Sequence, residues 1–306
     1  MIYRIIQRRK IYLTISGLLV AASIVALSVW GLNFGIDFTG GSLLEVEYQN
    51  YQPTITEIQD SLKDLGLNSL VIQPTESSVI LRFQNNSEDT HQAVLGQLQD
   101  LAEGREGVSF KELQFDSVGP SIGQELKSKS FNATVIVFIL IILYISFSFR
   151  KVSRPVASWK YGVAAVIALV HDVIFTLGVF SILGHFWGIE INTPFIAAIL
   201  TVLGYSVNDT IIVFDRIREN LPKSGDDFEN TINRSVNQTL VRSINTSFSA
   251  ILALLAIIFL GGETIRDFAL ALAIGIFIGT YSSIFIASPV LVVWNNLTHR
   301  PKKSVV

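Results

Sequence analysis

The sequence contains no cysteine among its 306 residues, which excludes disulfide bonds, thiolate catalysis and cysteine-ligated metal sites. Charged side chains are also scarce: Asp, Glu, Lys and Arg make up only 16% of the chain, whereas soluble domains usually carry about 25%. Half of the residues are apolar. Because long uncharged runs alternate with charged patches, the composition is typical of a membrane protein.

Several segments are long and apolar enough to span a bilayer, which requires roughly 20 mostly apolar residues. We predict six spans, at Ile11–Trp30, Phe131–Phe149, Tyr161–Leu183, Pro194–Phe214, Ser243–Leu260 and Phe268–Trp294. The first follows a basic stretch, but its apolar run is too long for the core of a signal peptide and ends without an A-x-A-like cleavage site. We therefore interpret it as a retained membrane anchor.

Basic residues are concentrated in alternate loops, and the opposite short loops contain only Arg266. Since cytoplasmic loops carry an excess of Lys and Arg, we expect both termini to be cytoplasmic. The predicted cytoplasmic basic residues are Arg4, Arg8, Arg9, Lys10, Arg150, Lys151, Arg154, Lys160, Arg216, Arg218, Lys223, Arg234, Arg242, Arg300, Lys302 and Lys303.

This orientation sets the predicted domain organisation. Residues 1–31 form the cytoplasmic N-terminus and first helix, 32–130 an external domain, 131–294 helices two to six, and 295–306 a cytoplasmic tail. The external segment holds fifteen acidic and six basic residues. This acidic balance argues against a nucleic-acid partner, because nucleic-acid binding depends on neutralising phosphates with basic side chains.

Period-two and helical spacings alternate within the external segment. We predict strands at Ser42–Tyr48, Ser69–Gln73, Val79–Phe83 and Val108–Phe115, and helices at Thr54–Leu65 and Ser87–Ala102. The order β-α-β-β-α-β is that of a ferredoxin-like α/β sandwich. The predicted fold class is thus a polytopic α-helical membrane protein of six transmembrane helices, with an external ferredoxin-like α/β domain between helices one and two.

Glycine and proline cluster where the chain enters and leaves this domain. Gly35, Asp37, Gly40 and Gly41 precede the first strand, and Gly119 and Pro120 follow the last one. Such residues favour tight turns. They form either plain turns or a hinge that lets the domain move.

Most ionisable residues lie in loops or in the external segment, but His171, Asp172 and Asp209 lie inside predicted spans. A charge within the bilayer costs a few kcal/mol, so such residues usually face the bundle interior and have a function there. Asp172 is near the middle of its span. Asp209 lies ~22 Å from the outer end of its own, at ~1.5 Å per residue, and therefore on the cytoplasmic side of the midplane.

Polar residues near Asp209 suggest a proton relay. Asn208 precedes it, and Ser206 shares its helix face. At the predicted start of the fifth span, Arg242, Asn245, Thr246 and Ser249 follow helical spacing along one face. A carboxyl group in a poorly hydrated site has a raised pKa, and a nearby guanidinium lowers it again. Movement of an Arg relative to an Asp would therefore load or release a proton.

Structural explanations remain open for the same residues. Asp209 could form a buried polar pair that only fixes helix packing, and Arg242 could be an interfacial anchor. His171 and Asp172 could simply hydrogen-bond within the bundle. Asn245 and Thr246 could make ordinary interhelical hydrogen bonds.

Several motifs together resemble the SecF family, whose members are subunits of the bacterial Sec protein-export translocase. The resemblance extends through the whole chain. It is carried by GIDFTGG at 35–41, VGP at 118–120, His171-Asp172, GYSVNDTIIVFDRIREN at 204–220 and RSINT at 242–246.

The resemblance implies a resistance–nodulation–division fold in which this chain is half of a pseudo-symmetric twelve-helix unit and SecD is the other half. It also implies use of the proton-motive force to pull preproteins from the SecYEG channel after SecA has pushed them. Asp209 and Arg242 match the family's proton path, and Asp172 matches a motif position. Protons are the coupling ion, with no other cofactor. The implied location is the bacterial cytoplasmic membrane, and a thylakoid membrane remains open.

Three other functions are compatible with parts of the sequence. An efflux pump for small molecules or lipids could share the fold, although such pumps usually carry both halves in one chain. An intramembrane aspartyl protease would use Asp172 and Asp209 to activate water, but its glycine-x-glycine-aspartate context is missing. A scaffold that stabilises the channel would need no proton chemistry. We expect a proton-coupled transport subunit and not an enzyme.

Overall fold

The computed structural model describes residues 3–75, 78–85, 87–103, 105, 107–150 and 156–298. Five predicted cytoplasmic basic residues lie outside these ranges, namely Lys151, Arg154, Arg300, Lys302 and Lys303. The chain divides into two compact units. One is the membrane bundle (Met1–Asn33 and Asn132–Val306), and the other (Phe34–Phe131) is the domain predicted to be external, which we call the external domain.

The elements follow one another in a simple order. In chain order they are α1 (Arg9–Val29), α2 (Ile36–Thr39), β1 (Gly41–Gln49), α3 (Ile55–Leu62), β2 (Val71–Pro74), β3 (Ser78–Phe83), α4 (Glu88–Glu103), β4 (Ser109–Val118), α5 (Pro120–Ser148), α6 (Ser158–Trp187), α7 (Thr193–Asn220), α8 (Phe228–Leu260), α9 (Glu263–Ser282) and α10 (Ser288–Thr298). A 3₁₀ turn (Ile6–Arg8) leads into α1, and a π turn (Ser283–Ala287) joins α9 to α10.

Six helical stretches among the described residues are long and apolar enough to cross a membrane, as predicted. They begin earlier or end later than the apolar runs because helical hydrogen bonding continues into polar sequence. The largest difference is at α8, which begins at Phe228 and not near Ser243. The Asp227 side chain caps it by accepting from the Asn230 amide at 2.8 Å. Arg242 therefore lies well inside α8, and its location at the cytoplasmic start of the membrane-spanning part of this helix stays a prediction.

Aromatic and basic residues mark the two ends of the bundle. At one end Trp159 and Trp294 meet edge to face, with ring centroids 5.1 Å apart, and Lys160 lies over the Trp294 ring. At the other end Trp30 stacks on His185 at 5.2 Å. Tryptophans of this kind favour membrane–water interfaces. We call the end with Trp159 and Trp294 the basic end; it also carries Arg4, Arg8, Arg9, Lys10, Arg218 and Lys223.

The external domain is the predicted ferredoxin-like sandwich. Its four strands lie in the order β2-β3-β1-β4, and every neighbouring pair is antiparallel. Strand β4 runs three residues beyond its predicted end because it pairs with β1 as far as Gly41↔Val118. The core between the sheet and the two longer helices includes Leu44, Leu81 and Leu98, each with no exposed surface. The short helix α2 was not predicted.

Candidate functional site

Asp172 lies at the junction of three bundle helices and is completely buried. Its Oδ2 accepts hydrogen bonds from Ser206 of α7 and from Ser282 of α9, each at 2.7 Å. Its Oδ1 lies 3.0 Å from Nδ1 of the neighbouring His171. All four oxygen lone-pair directions of a carboxylate need partners when water is excluded, and here two hydroxyls and an imidazole occupy three of them.

Asp209 occupies a second, similar position and is 6% exposed. Its Oδ1 accepts from the Ser243 hydroxyl of α8 at 2.5 Å, and its Oδ2 accepts from the Ser283 hydroxyl at 2.5 Å. Asp209 thus connects α7 to α8 and to the π turn.

Two adjacent serines therefore serve two different carboxyl groups. Ser282 is the last residue of α9 and Ser283 is the first of the π turn. Successive side chains on a helix point ~100° apart, so one serine reaches Asp172 while the next reaches Asp209. The π turn precedes Pro289, which cannot donate a backbone hydrogen bond. Single π turns within α-helices are frequent at functional sites.

Close packing of α9 on α7 makes these contacts possible. A Cβ atom added at Gly279 would lie 2.9 Å from Cβ of Ser206. One helical turn earlier, a Cβ at Gly275 would overlap the Val202 side chain. Small residues allow membrane helices to approach closely, and here the approach brings Ser282 to the carboxyl group that Ser206 also contacts.

The hydrogen-bond partners of both carboxyl groups are compatible with the ionised and with the protonated form of the acid. Among the described residues, no Lys or Arg side chain forms a salt bridge with Asp172 or Asp209. A serine hydroxyl can donate to a carboxylate and can accept from a carboxylic acid. The arrangement can therefore hold a proton or release it, provided that a serine hydroxyl changes from donor to acceptor when the proton is taken up.

The structure brings together only some of the predicted site residues. The buried site contains Asp172, Asp209 and Ser206. The Ser206 hydroxyl donates its hydrogen bond to Asp172 and not to Asp209, which is closer to it in the sequence. The side chains of Arg242, Asn245, Thr246 and Asn208 are exposed on the surface of this chain. Within the described part of the chain, the Arg242 guanidinium has neither an ion pair nor a hydrogen bond. The predicted polar stripe of α8 thus points outward.

Three serines that bond the carboxyl groups from α8, α9 and the π turn were not among the predicted site residues. A signal for Ser243 was present, because inward hydroxyls recur every four residues along α8, at Thr231, Ser235, Thr239, Ser243 and Ser247, and all five are buried. This spacing keeps one helix face. No comparable signal marked Ser282 and Ser283, because the π turn that orients them is set by tertiary packing.

Some buried polar atoms near the two carboxyl groups have no hydrogen-bond partner among the described residues. They include Nε2 of His171, the Tyr205 hydroxyl and Oγ1 of Thr210. Buried polar groups are almost always bonded to protein or to ordered water.

A polar cavity of about 320 Å³ lies between α7 and α8. Its walls carry charged residues of both signs: Asp215, Arg216, Glu219 and Arg242. Arg216 pairs with Glu219 at 2.8 Å, and Arg218 pairs with Asp215 at 2.6 Å. Thr239, one turn before Ser243 on the inward face of α8, also lines it, so the cavity extends toward the donor that holds Asp209.

The predicted stalk residues meet within the external domain. Gly40 and Gly41 have φ values of +75° and +127°, which favour glycine. A Cβ at Gly40 would lie 2.8 Å from Cα of Pro120. Gly35 precedes α2, Asp37 lies in its first turn, and Gly119 accepts from the Ile122 amide at 3.0 Å. The incoming and outgoing segments are thus packed together, and their role as a hinge stays a prediction.

Comparison with known proteins gives matches along nearly the whole chain. The family model for the C-terminal part of the protein export membrane proteins SecD/SecF matches residues 97–297, and the SecD/SecF GG motif model matches residues 25–51. The protein translocase subunit SecF of Thermobaculum terrenum is 41% identical over 95% of this chain and 94% of its own length. That of Desulfurispirillum indicum is 40% identical over 94% of this chain and 90% of its own.

A solved structure agrees with these matches. The crystal structure of SecDF, a translocon-associated membrane protein from Thermus thermophilus, superposes with a TM-score of 0.82 and 34% identity. The match covers 97% of this chain but only 39% of the SecDF chain, so this chain spans well under half of that protein. Its relatives are bacterial multi-pass membrane proteins of the Sec translocase, and the chain belongs to the SecD/SecF family of protein-export membrane proteins.

Proposed function

We propose that this chain is the proton-responsive SecF half of a SecD–SecF unit that uses the proton-motive force to assist late preprotein translocation through SecYEG, after SecA-driven insertion. The observation that carries the proposal is the pair of buried carboxyl groups, Asp172 and Asp209, joined to three helices by serine hydroxyls. Burial of ionisable groups inside a bilayer is costly, and it is typical of proton and ion pathways.

The proton would act on helix packing through these hydroxyls. When Asp209 is ionised, Ser243 and Ser283 both donate to it. A protonated carboxyl group can accept fewer such bonds and must donate one itself, so at least one serine hydroxyl rotates toward another acceptor. Because the two serines belong to α8 and the π turn, loading a proton changes the forces between these elements and α7.

The tandem serines offer a link between the two acids. Ser282 and Ser283 are neighbours on one backbone, so a shift of the π turn that alters the bonds of Asp209 also displaces the donor of Asp172. This link gives His171 and Asp172 a place in the same cycle. Movement of the helices would then reach the external domain through the glycine-rich stalk.

SecD is the proposed partner for the outward polar face of the bundle. Asn208, Arg242 and Asn245 are exposed on the surface of this chain within its membrane helices, where lipid would leave their side chains without hydrogen bonds. A second helical half would cover them and could supply the counter-charge for Arg242. The 39% coverage of the SecDF chain supports such a missing half.

The proposed location is the bacterial cytoplasmic membrane, with both termini in the cytoplasm. The basic end of the bundle supports this orientation through the excess of Lys and Arg there. The preprotein, SecYEG and, indirectly, SecA are proposed partners on the strength of family membership. An aspartyl protease is disfavoured because no hydrogen bond joins Asp172 to Asp209 among the described residues, whereas such enzymes share one proton between two carboxyl groups.

The test is preprotein export in cells that carry Asp209→Asn at the wild-type protein level, with and without a collapsed proton gradient. Asparagine keeps the size of the side chain but cannot take up a proton. We expect export to fall to the gradient-free level and to lose its dependence on the gradient.

The matched control is Asp226→Asn, which removes an exposed carboxylate from the loop between α7 and α8, outside both the buried site and the polar cavity. We expect it to leave the gradient dependence of export intact. If Asp209→Asn also kept full gradient-dependent export, the carboxyl group would be structural, and a scaffold function would replace the proposed one.

A further inference from the structure

A second cavity, on a different face of the bundle, is almost entirely apolar. It is a groove of about 560 Å³ between the N-terminal segment, α8 and α9, a volume typical of small-molecule sites. We refer to it as the α8–α9 groove. It is lined by Tyr3, Ile5, Tyr12, Leu240, Ile244, Ser247, Phe248, Ile251, Phe277, Thr280, Tyr281, Ile284 and Phe285.

The hydroxyl groups along the middle of the groove are already bonded within the protein. Ser247 and Thr280 bond each other, and Thr280 also donates to the Ile276 carbonyl at 2.9 Å. The Tyr281 hydroxyl lies 3.0 Å from that of Ser16. Because these polar atoms need no further partner, the walls present hydrocarbon, and the matching ligand is a hydrocarbon chain.

The length of the groove matches one leaflet of a bilayer. Along α8 it extends from Leu240 to Ile251, which corresponds to ~16 Å at ~1.5 Å per residue. The hydrocarbon core of a bilayer is ~30 Å thick, so one leaflet contributes ~15 Å. The groove begins at Tyr3, at the basic end of the bundle, and it therefore lies in the leaflet at that end.

The mouth of the groove is basic and fixed in position. Asn233 and Asn237 of α8 donate to the Tyr3 carbonyl at 3.0 and 2.8 Å, and Oδ1 of Asn237 accepts from the Tyr3 amide at 2.8 Å. These bonds hold Arg4 between the two lining residues Tyr3 and Ile5.

Arg8 shares a helix face with Ile5 and Tyr12, at spacings of three and four residues. Arg9 is occupied by an ion pair with Glu229 at 2.7 Å. In the described residues, by contrast, Arg4 and Arg8 are exposed and pair with no carboxylate. Two unpaired guanidinium groups beside an apolar groove favour an anionic headgroup, which they can bind through paired hydrogen bonds.

We propose that the α8–α9 groove binds one anionic phospholipid of this leaflet, with an acyl chain along α8 and the headgroup phosphate at Arg4 and Arg8. The groove is separate from the outward polar face, because Leu240, Ile244 and Ile251 lie on the side of α8 opposite to Asn245 and Ser249 by helical spacing. The site therefore remains open to lipid when a partner covers the polar face. It does not depend on the proton chemistry proposed above.

The test is native mass spectrometry of the full chain, co-expressed with its SecD partner, purified and exposed to equal amounts of phosphatidylglycerol and phosphatidylcholine with the same acyl chains. We expect one retained phosphatidylglycerol per complex. Ile244→Trp fills the groove and is expected to abolish retention. Ile139→Trp is the matched control, since Ile139 is 52% exposed on α5 and Ile244 is 50% exposed, and it should retain the lipid.

Charge is tested separately by Arg4→Gln combined with Arg8→Gln. At about 1 kcal/mol per basic residue near an anionic surface, the affinity for phosphatidylglycerol should fall roughly 30-fold. Lys223→Gln, a cation at the same end of the bundle but outside the groove, should leave it unchanged. Equal retention of both lipids by the wild type, or equal retention by Ile244→Trp and Ile139→Trp, overturns the proposal. Loss of SecD with unchanged lipid in Ile244→Trp would identify the groove as a protein interface instead and equally overturn it.

Discussion

In the external domain the fully buried side chains form a hydrocarbon core, with Leu44, Leu81 and Leu98 at 0% exposure. The membrane bundle also buries apolar side chains, such as Ile145 and Phe214, but in addition it exposes large apolar residues and buries polar ones. There Leu143 is 60% exposed while Asp172 has no exposed surface. In water, burial of hydrocarbon drives folding. Between helices in lipid that driving force is missing, so interior positions of the bundle are free for small and polar residues that carry out chemistry.

The largest effect expected from this comparison is on the stability of the external domain. Leu44→Ala truncates a fully buried side chain of the core between the sheet and the helices. Such truncations lower the free energy of unfolding by ~2–5 kcal/mol. Leu113→Ala is the control, because Leu113 is 43% exposed in the same sheet and such sites usually change stability by less than ~0.5 kcal/mol. Protease resistance of the external domain in increasing urea measures both. Equal losses would contradict the assignment of the core.

In the bundle, loss of interior groups should affect coupling more than folding. Ser243→Ala combined with Ser283→Ala removes both hydroxyl donors of Asp209. Hydrogen bonds to charged groups contribute about 1.5–3 kcal/mol, so gradient-dependent export should fall about tenfold or more, with little change in protein level.

Ser181→Ala is the control for that double variant. Ser181 is also a buried bundle serine, but it donates to the carbonyls of Ala26 and Gly31 and contacts neither carboxyl group. Its removal should leave export unchanged. If Ser181→Ala lowered export as much as the double variant, the effect would come from helix packing and not from Asp209.

The same contrast explains what could be predicted from the sequence. Alternating apolar residues predicted all four strands, and apolar runs predicted all six spans, because both signals report burial from water or contact with lipid. Asp172 and Asp209 were identified because a charge within an apolar run is conspicuous. Their serine partners were not, since a serine in a membrane helix is ordinary and only the rotation of α8 and the π turn select which ones point inward.

Arg242 illustrates the limit most clearly. Helical spacing placed it correctly on one face with Asn245 and Thr246, but spacing alone does not say which face of a helix is inside. The neighbouring Ser243, ~100° further around the helix, faces Asp209 instead. The apolar run also could not reveal the first turns of α8, because they are polar and several of their residues, such as Thr231 and Ser235, are buried against protein.

A substitution in the stalk of the external domain should change the stability of the domain by a smaller amount, and its control should change the stability in the opposite direction. Gly40→Ala would place a Cβ 2.8 Å from the Pro120 backbone at a φ of +75°, and we expect a cost of ~1–3 kcal/mol. Gly96→Ala lies within α4, where an added Cβ meets nothing within 4 Å, and should stabilise the domain by up to ~1 kcal/mol. The same urea-dependent proteolysis measures both. Two changes of the same sign would contradict the packing of the stalk.

The smallest effect concerns the charged surface of the external domain. The Thr54 backbone amide, the Thr54 hydroxyl, Tyr51 and Arg105 all donate to Glu57, and these bonds lower the pKa of Glu57 to about 2 from its ordinary value near 4.5. A lowered folded-state pKa contributes stability that is fully present above the unfolded-state value and is lost as the pH falls. The Glu57 contribution should therefore disappear between pH 4.5 and 2.

Pepsin cleavage of the full-length protein measures this loss, because the protease is active in that pH window. Glu57→Gln cannot be ionised, so the variant should be cleaved faster than wild type at pH 5, and the difference should shrink toward pH 2. Asp60→Asn, on the same helix outside the cap, should follow the wild type. A Glu57→Gln difference that stayed constant from pH 5 to 2 would show that the side chain acts by shape and not by charge. In that case the charge of Glu57 would not contribute to stability. The proposed role of charge in this chain would then rest on the bundle carboxyl groups, whose direct partners are hydroxyls and one imidazole.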